Sequence, residues 1–216
     1  MLGNIPPIVR ALLVANVLMF LAQMLLGEAR FLDLMLWPLG EYAMRMPDHS
    51  MLQIGFLPWQ ILTYGFLHGG LTHLFFNMFA LWMFGSSLEL VWGGRRFLRY
   101  YLVCIVGAGL VQLVVATLAV GNGSPPYPTV GASGGVFGLL LAYGMLFPNQ
   151  RLMLMFPPIP MKARTFVICY GLLELYLGVT GTRSGIAHFA HLGGMAFGFL
   201  MIQYWRGRWP FRRQSR

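Results

Sequence analysis

Residues 8–27 read IVRALLVANVLMFLAQMLLG, with a single charged side chain at Arg10. A bilayer core takes roughly 20 apolar residues of α-helix, so this stretch is long enough to span. It lacks the charged start and small-residue cleavage site of a removable signal and reads as a permanent first helix. Working outward, five more apolar runs follow at about 71–92, 97–120, 131–147, 164–181 and 187–205, the first run extending over 8–28. The expectation is an all-α, polytopic membrane protein with six transmembrane helices in one domain, 1–216.

Composition points the same way. Hydrophobic residues make up 57% of the 216 positions and charged ones 10%, with a mean hydropathy of +0.66. Soluble domains carry about 25% charged residues, so lipid is the solvent for much of this surface. The net charge of +9 does not point to nucleic acid, because the basic residues flank apolar runs, where anionic lipid and topology account for them. Cys104 and Cys169 both sit inside apolar stretches, without disulfide or metal spacing.

The run 29–67 mixes acids with Phe31, Trp37, Phe56 and Trp59. It is too polar to span and too apolar for a free loop. It reads as a long first loop partly embedded in one interface, with short amphipathic helices. Six helices place both termini on one side. Arg10, the cluster Arg95, Arg96 and Arg99, then Arg151, Lys162, Arg164 and five arginines of the tail fall there, 12 of 15 basic residues. The positive-inside rule then makes both termini cytoplasmic and the first loop external.

Polar side chains in hydrocarbon are functional candidates. Ser133 lies in Gly131-Ala132-Ser133-Gly134-Gly135, after Pro125, Pro126 and Pro128, so its helix starts close to it. By itself that string also marks close helix packing. At a helix start, however, unsatisfied backbone N–H groups are on hand to hold an oxyanion. A serine nucleophile needs a base, and His191 stands beside Gly194 and Gly198, whose four-residue spacing brings helices together. His73 and Asn77 share a face of the second helix and are donors of the kind acyl transfer requires, or else helix–helix hydrogen bonds. Other intramembrane protease chemistries lack their residues. There is no His-Glu-x-x-His, and the only aspartates, Asp33 and Asp48, lie in the first loop. Glu89 is placed for an ion pair with Arg95, Arg96 or Arg99. His188 reads as a neighbour of the site or a solvated group, and Glu174 has no role on this reading.

Three motifs in order resemble those of the rhomboid proteases, in the minimal six-helix bacterial type, over nearly the whole chain. They are His-x-x-x-x-His-x-x-x-Asn (His68, His73, Asn77), Gly-x-Ser-Gly (Gly131, Ser133, Gly134) and Ala-His-x-x-Gly-x-x-x-Gly (Ala190, His191, Gly194, Gly198). The resemblance implies a rhomboid-like bundle in the cell membrane, acting as a serine endopeptidase on transmembrane segments. It implies a Ser133–His191 dyad without an acid, and an oxyanion hole of His73, Asn77 and the Ser133 N–H. His68 would organise the site and Phe137 would pack under the base. It implies transmembrane protein substrates and lipids as partners, no nucleic acid, and no metal or cofactor. The active site would open to the outer face. Trp59 matches a loop tryptophan of the family, but Gln60 stands where an arginine commonly follows, which leaves the anchoring of the loop open. The rival reading is a non-proteolytic, client-binding relative.

Overall fold

The computed structural model describes residues 5–45, 49, 51–153, 159–180 and 187–207. Asp48, Arg183 and the tail arginines Arg208, Arg212, Arg213 and Arg216 lie outside the described residues. Among the described residues there are six long helical segments: α1 (Pro7–Leu26), a second formed by α3 (Leu71–Ala80) and α4 (Ser86–Trp92), α5 (Gly94–Gly121), α6 (Ser133–Leu146), α7 (Ala163–Thr180) and α8 (His188–Trp205). A π-helical turn at Leu81–Gly85 joins α3 to α4. Four of the six, α1, α3–α4, α5 and α7, are long and apolar enough to cross a membrane; α6 is a shorter apolar helix. The fold is a polytopic helical membrane bundle.

α6 is the axis of the bundle. It follows a proline-rich loop, and every residue from Gly134 to Leu140 is buried. Glycines let α5 and α8 close around it. A Cβ on Gly138 would strike Cys104 Sγ, one on Gly134 would strike Ala108, and one on Gly194 would strike the Gly134 carbonyl. One on Gly198 would strike the Tyr100 hydroxyl. That hydroxyl donates to the Gly138 carbonyl at 2.8 Å, using the room the glycines leave. The outer faces are apolar instead: Leu18, Leu21 and Leu25 of α1 and Leu172, Tyr176 and Val179 of α7 are exposed. In water such surfaces would drive association; in a bilayer they are the solvated side.

Glu89 is not ion-paired to the arginines. Its carboxylate accepts from Ile8 N (3.0 Å) and Val9 N (2.8 Å) at the start of α1. Pro6 precedes that helix and supplies no capping side chain, so the orphan first-turn N–H groups are met by a buried acid from α4.

The first loop contains more β structure than its composition suggests. After a 3₁₀ turn at Glu28–Leu34, the strands β1 (Glu41–Arg45) and β2 (Met51–Gly55) pair antiparallel, Glu41 opposite Gly55 and Arg45 opposite Met51. The short helix α2 (Gln60–Thr63) follows. A second small hairpin, β3 (Arg151–Met153) with β4 (Pro160–Lys162), lies between α6 and α7. Phe31, Leu32, Met35, Trp37, Ile54 and Leu67 form a separate small core under the loop. Gln60 is the polar anchor. Fully buried, it accepts from Trp37 N at 3.2 Å and donates to the carbonyls of Gly55 (3.1 Å) and Asp33 (3.3 Å). Trp59 Nε1 adds a bond to the same Asp33 carbonyl at 2.9 Å. A neutral amide with both donor and acceptor thus holds three segments where an arginine could only donate.

Candidate active site

The loop before α6 is fixed from two sides. Leu36 and Thr129 exchange backbone hydrogen bonds of 3.0 and 2.8 Å, and Gly131 N donates to the Tyr64 carbonyl at 2.9 Å. Thr129 Oγ1 also accepts from Gln112 Nε2 of α5 at 3.2 Å. Gly131 takes φ +135°, and a Cβ there would lie 2.7 Å from His73 Cε1 and 2.9 Å from His73 Nε2. Glycine is required twice, by conformation and by the approach of the His73 ring. The chain enters α6 directly after, leaving Ser133 as its first residue.

Ser133 Oγ lies 2.8 Å from His191 Nε2. The two come from helices joined by the Gly134–Gly194 contact, so the small residues that fix the packing also fix this distance. The Phe137 ring stacks flat on the His191 imidazole, centroids 4.1 Å apart and planes 5° apart, restricting its tilt. Both reacting groups are partly accessible.

His73 presents its Nε2 edge at Gly131, beside Ser133. Its Nδ1 is approached by Gly69 N at 3.4 Å; as the acceptor of that contact Nδ1 carries no proton, which leaves the hydrogen on Nε2. Asn77 is buried on the same face, but its Nδ2 donates to the His73 carbonyl at 2.9 Å, one turn back along its own helix. In this conformation it braces His73. His68, 2% exposed, sets its ring edge against His73 with centroids 5.2 Å apart. Its backbone is clamped by Gln23 of α1, which accepts from His68 N at 3.0 Å and donates to His68 O at 3.4 Å. Burial first, and the neighbouring His73 second, push the His68 pKa down to about 4, so this imidazole is neutral near pH 7.

One acid enters the site that the motifs do not contain. Glu174 Oε2 of α7 lies 2.9 Å from His191 Nδ1 and 2.7 Å from His188 Nδ1. The arrangement is therefore not a serine–histidine pair without an acid. His188 is buried on this carboxylate and is not solvated. A carboxylate in the middle of an apolar run demands a partner, and the histidines of the next helix were among the choices the sequence offered. That was the available signal. Which face of α7 turns toward α8 is a packing result, and no motif encodes it. The donor atoms of Glu174, His188 and His191 lie within 4.8 Å of one another, a set that could hold a transition-metal cation. The two short contacts to one oxygen are already accounted for as hydrogen bonds.

A family model described as the Rhomboid domain matches residues 56–208, well over half of the chain. Among curated relatives, the Rhomboid protease GluP of Bacillus subtilis (strain 168) is 33% identical over 141 residues, 65% of this chain and 25% of its own length. Rhomboid protein 1, mitochondrial, of Saccharomyces cerevisiae is 31% identical over 175 residues, 78% of this chain and 49% of its own. Presenilin-associated rhomboid-like protein, mitochondrial, of Mus musculus is 33% identical over 156 residues, 67% of this chain and 39% of its own. The chain thus spans between a quarter and about half the length of these relatives. With the bundle, the motifs and the family match in agreement, this chain belongs to the rhomboid family.

Proposed function

We propose that the protein is an intramembrane serine endopeptidase that cleaves transmembrane segments with Ser133 as nucleophile and His191 as general base. The observation that carries this reading is the 2.8 Å contact between Ser133 Oγ and His191 Nε2 at the N-terminus of α6. A helix start leaves backbone N–H groups free, so nucleophile, base and oxyanion donors occupy one place.

In the reaction, Ser133 Oγ attacks the scissile carbonyl carbon as its proton passes to His191 Nε2. The carbonyl π electrons move to oxygen, where the Ser133 N–H and His73 Nε2–H stabilise the charge, and Asn77 supports His73. Collapse breaks the C–N bond, and the leaving amine takes the proton from Nε2. Water then attacks the acyl-enzyme, losing its proton to Nε2, and Ser133 leaves with that proton. A helical substrate hides its carbonyls in its own hydrogen bonds, so it unwinds locally before attack. Gly131, Gly134, Gly194 and Gly198 allow the close packing, and Phe137 holds the imidazole plane.

The chain acts as one membrane domain with both termini in the cytoplasm and the site toward the outer face, as the basic residues around α4–α5 and after α6 suggest. A fluorophosphonate probe tests the chemistry. Labelling of the purified protein at Ser133, absent in His191→Ala, supports it. No labelling of the wild-type protein overturns it and favours a client-binding, non-proteolytic member.

A further inference from the structure

We infer that Glu174 is a positioning residue of the reaction, completing a Ser133–His191–Glu174 relay whose carboxylate also receives His188. The inference rests on the protease reading above and goes beyond the pair that the family motifs supply.

The geometry argues it atom by atom. Glu174 is 6% exposed on a helix whose neighbouring side chains are mostly apolar and outward-facing. A carboxylate only accepts hydrogen bonds. Its Oε2 faces two imidazole nitrogens, His191 Nδ1 at 2.9 Å and His188 Nδ1 at 2.7 Å, so both nitrogens carry hydrogen and donate. For neutral His191 this places the single proton on Nδ1 and leaves Nε2 bare. Nε2 is the atom 2.8 Å from Ser133 Oγ. The acid therefore selects the one tautomer able to take the serine proton. When that proton arrives, the imidazolium keeps Nδ1–H on the carboxylate and holds the new hydrogen on Nε2. Glu174 remains ionised throughout and stabilises the cation without receiving a proton.

Two contacts hold the ring in complementary ways. Phe137 stacks on its face at 4.1 Å, which fixes tilt but permits a half-turn flip that would put Cδ2 in the place of Nδ1 and Cε1 in the place of Nε2, turning both nitrogens away from their partners. The Glu174 bond forbids that flip. His188 fixes the acid in turn: by donating to the same oxygen it keeps Oε2, and not Oε1, on His191. His188 Nε2 has no hydrogen-bond partner among the described residues, so the ring's single polar tie is to Glu174. The site thus gains its order from α7, a helix that contributes no residue to the three family motifs.

A merely structural tether between α7 and α8 would predict a different set of results. Glu174→Gln keeps the size of the side chain and a hydrogen bond, but its amide can donate to Nδ1 and stabilise the wrong tautomer. We expect kcat for a reconstituted transmembrane substrate to fall at least about 100-fold, toward the roughly 10⁴-fold seen when a triad acid becomes an amide, with KM little changed. Thermal stability should stay near wild type, and Glu174→Asp should recover part of the rate. In the wild-type protein itself, ¹⁵N spectra of labelled histidine should show His191 protonated at Nδ1 and bare at Nε2. An Nε2–H tautomer there overturns the inference whatever the variants do. So does a Glu174→Gln enzyme with wild-type kcat beside an inactive Ser133→Ala, an outcome that leaves the protease reading standing. If the wild-type protein neither cleaves nor labels, the protease reading falls, and the relay with it.

Discussion

At the scale of single residues, the structure divides the polar groups of the motifs by what their atoms can reach. His73 offers Nε2 across Gly131, while Asn77 donates to the His73 carbonyl. The sequence offers both as oxyanion donors or as helix–helix hydrogen bonds; in the structure the Asn77 amide takes a carbonyl one turn back along its own helix. His73→Ala should therefore lower kcat by about 100- to 1000-fold with little change in KM. Asn77→Ala should cost less, and the double variant less than the sum, since one acts through the other. Steady-state kinetics on a reconstituted substrate checks this, and an Asn77→Ala defect larger than that of His73→Ala contradicts it. His68 supplies a pH dependence. The unfolded chain takes a proton on this side chain near pH 6.5, and the folded one only near about 4. Its contribution to stability is thus complete above about pH 6.5 and is lost as pH falls toward 4. Thermal melts in detergent across that range should show the decline, and His68→Phe should flatten it.

At the scale of elements, glycine contacts and one buried amide decide how helices and loop meet. The spacing of Gly194 and Gly198 was legible as a packing face, and it does face α6 and α5. What spacing could not give is the partner: Gly194 rests on the Gly134 carbonyl, one residue after Ser133. Gly194→Ala forces these backbones apart and should destabilise the bundle by about 1–3 kcal/mol. It should also lengthen the Ser133–His191 approach and lower fluorophosphonate labelling; unchanged melting and labelling would contradict the packing. The loop was less legible, because its hairpin contains short strands without a clean alternation and its anchor, Gln60, departs from the family residue. Three backbone groups depend on that side chain. Gln60→Ala leaves buried groups unpaired and should cost about 2–3 kcal/mol, seen as a lower Tm and faster proteolysis within the loop. Glu174 stood out as a charge in an apolar run, but its partner was illegible for a related reason: only packing against α8 shows which face of α7 carries the site.

At the scale of the whole molecule, hydropathy made the six helices readable, since each needs a run long enough for lipid and short connections between. The proposed orientation rests on charge. Arg95, Arg96 and Arg99, with Trp92 and Trp205, line an open groove of about 570 Å³ at the far end of α5 from the Ser133 loop, with the Arg96 guanidinium 4.1 Å over the Trp205 ring. Arginine and tryptophan together suit a membrane–water interface. Cysteine placed at Ser124, in the loop before α6, should react with an impermeant reagent on intact cells, above the background of Cys169. Cysteine at Asn149, at the other end of α6, should not; the reverse pattern would invert the orientation. The central claim, that this bundle delivers a serine nucleophile to peptide bonds within the membrane, has one most direct test. Purified protein is reconstituted with a model transmembrane substrate, wild type beside Ser133→Ala. The account predicts a single-site cleavage by the wild type and none by a normally folded Ser133→Ala. Equal turnover by both proteins, or none by either, would contradict it.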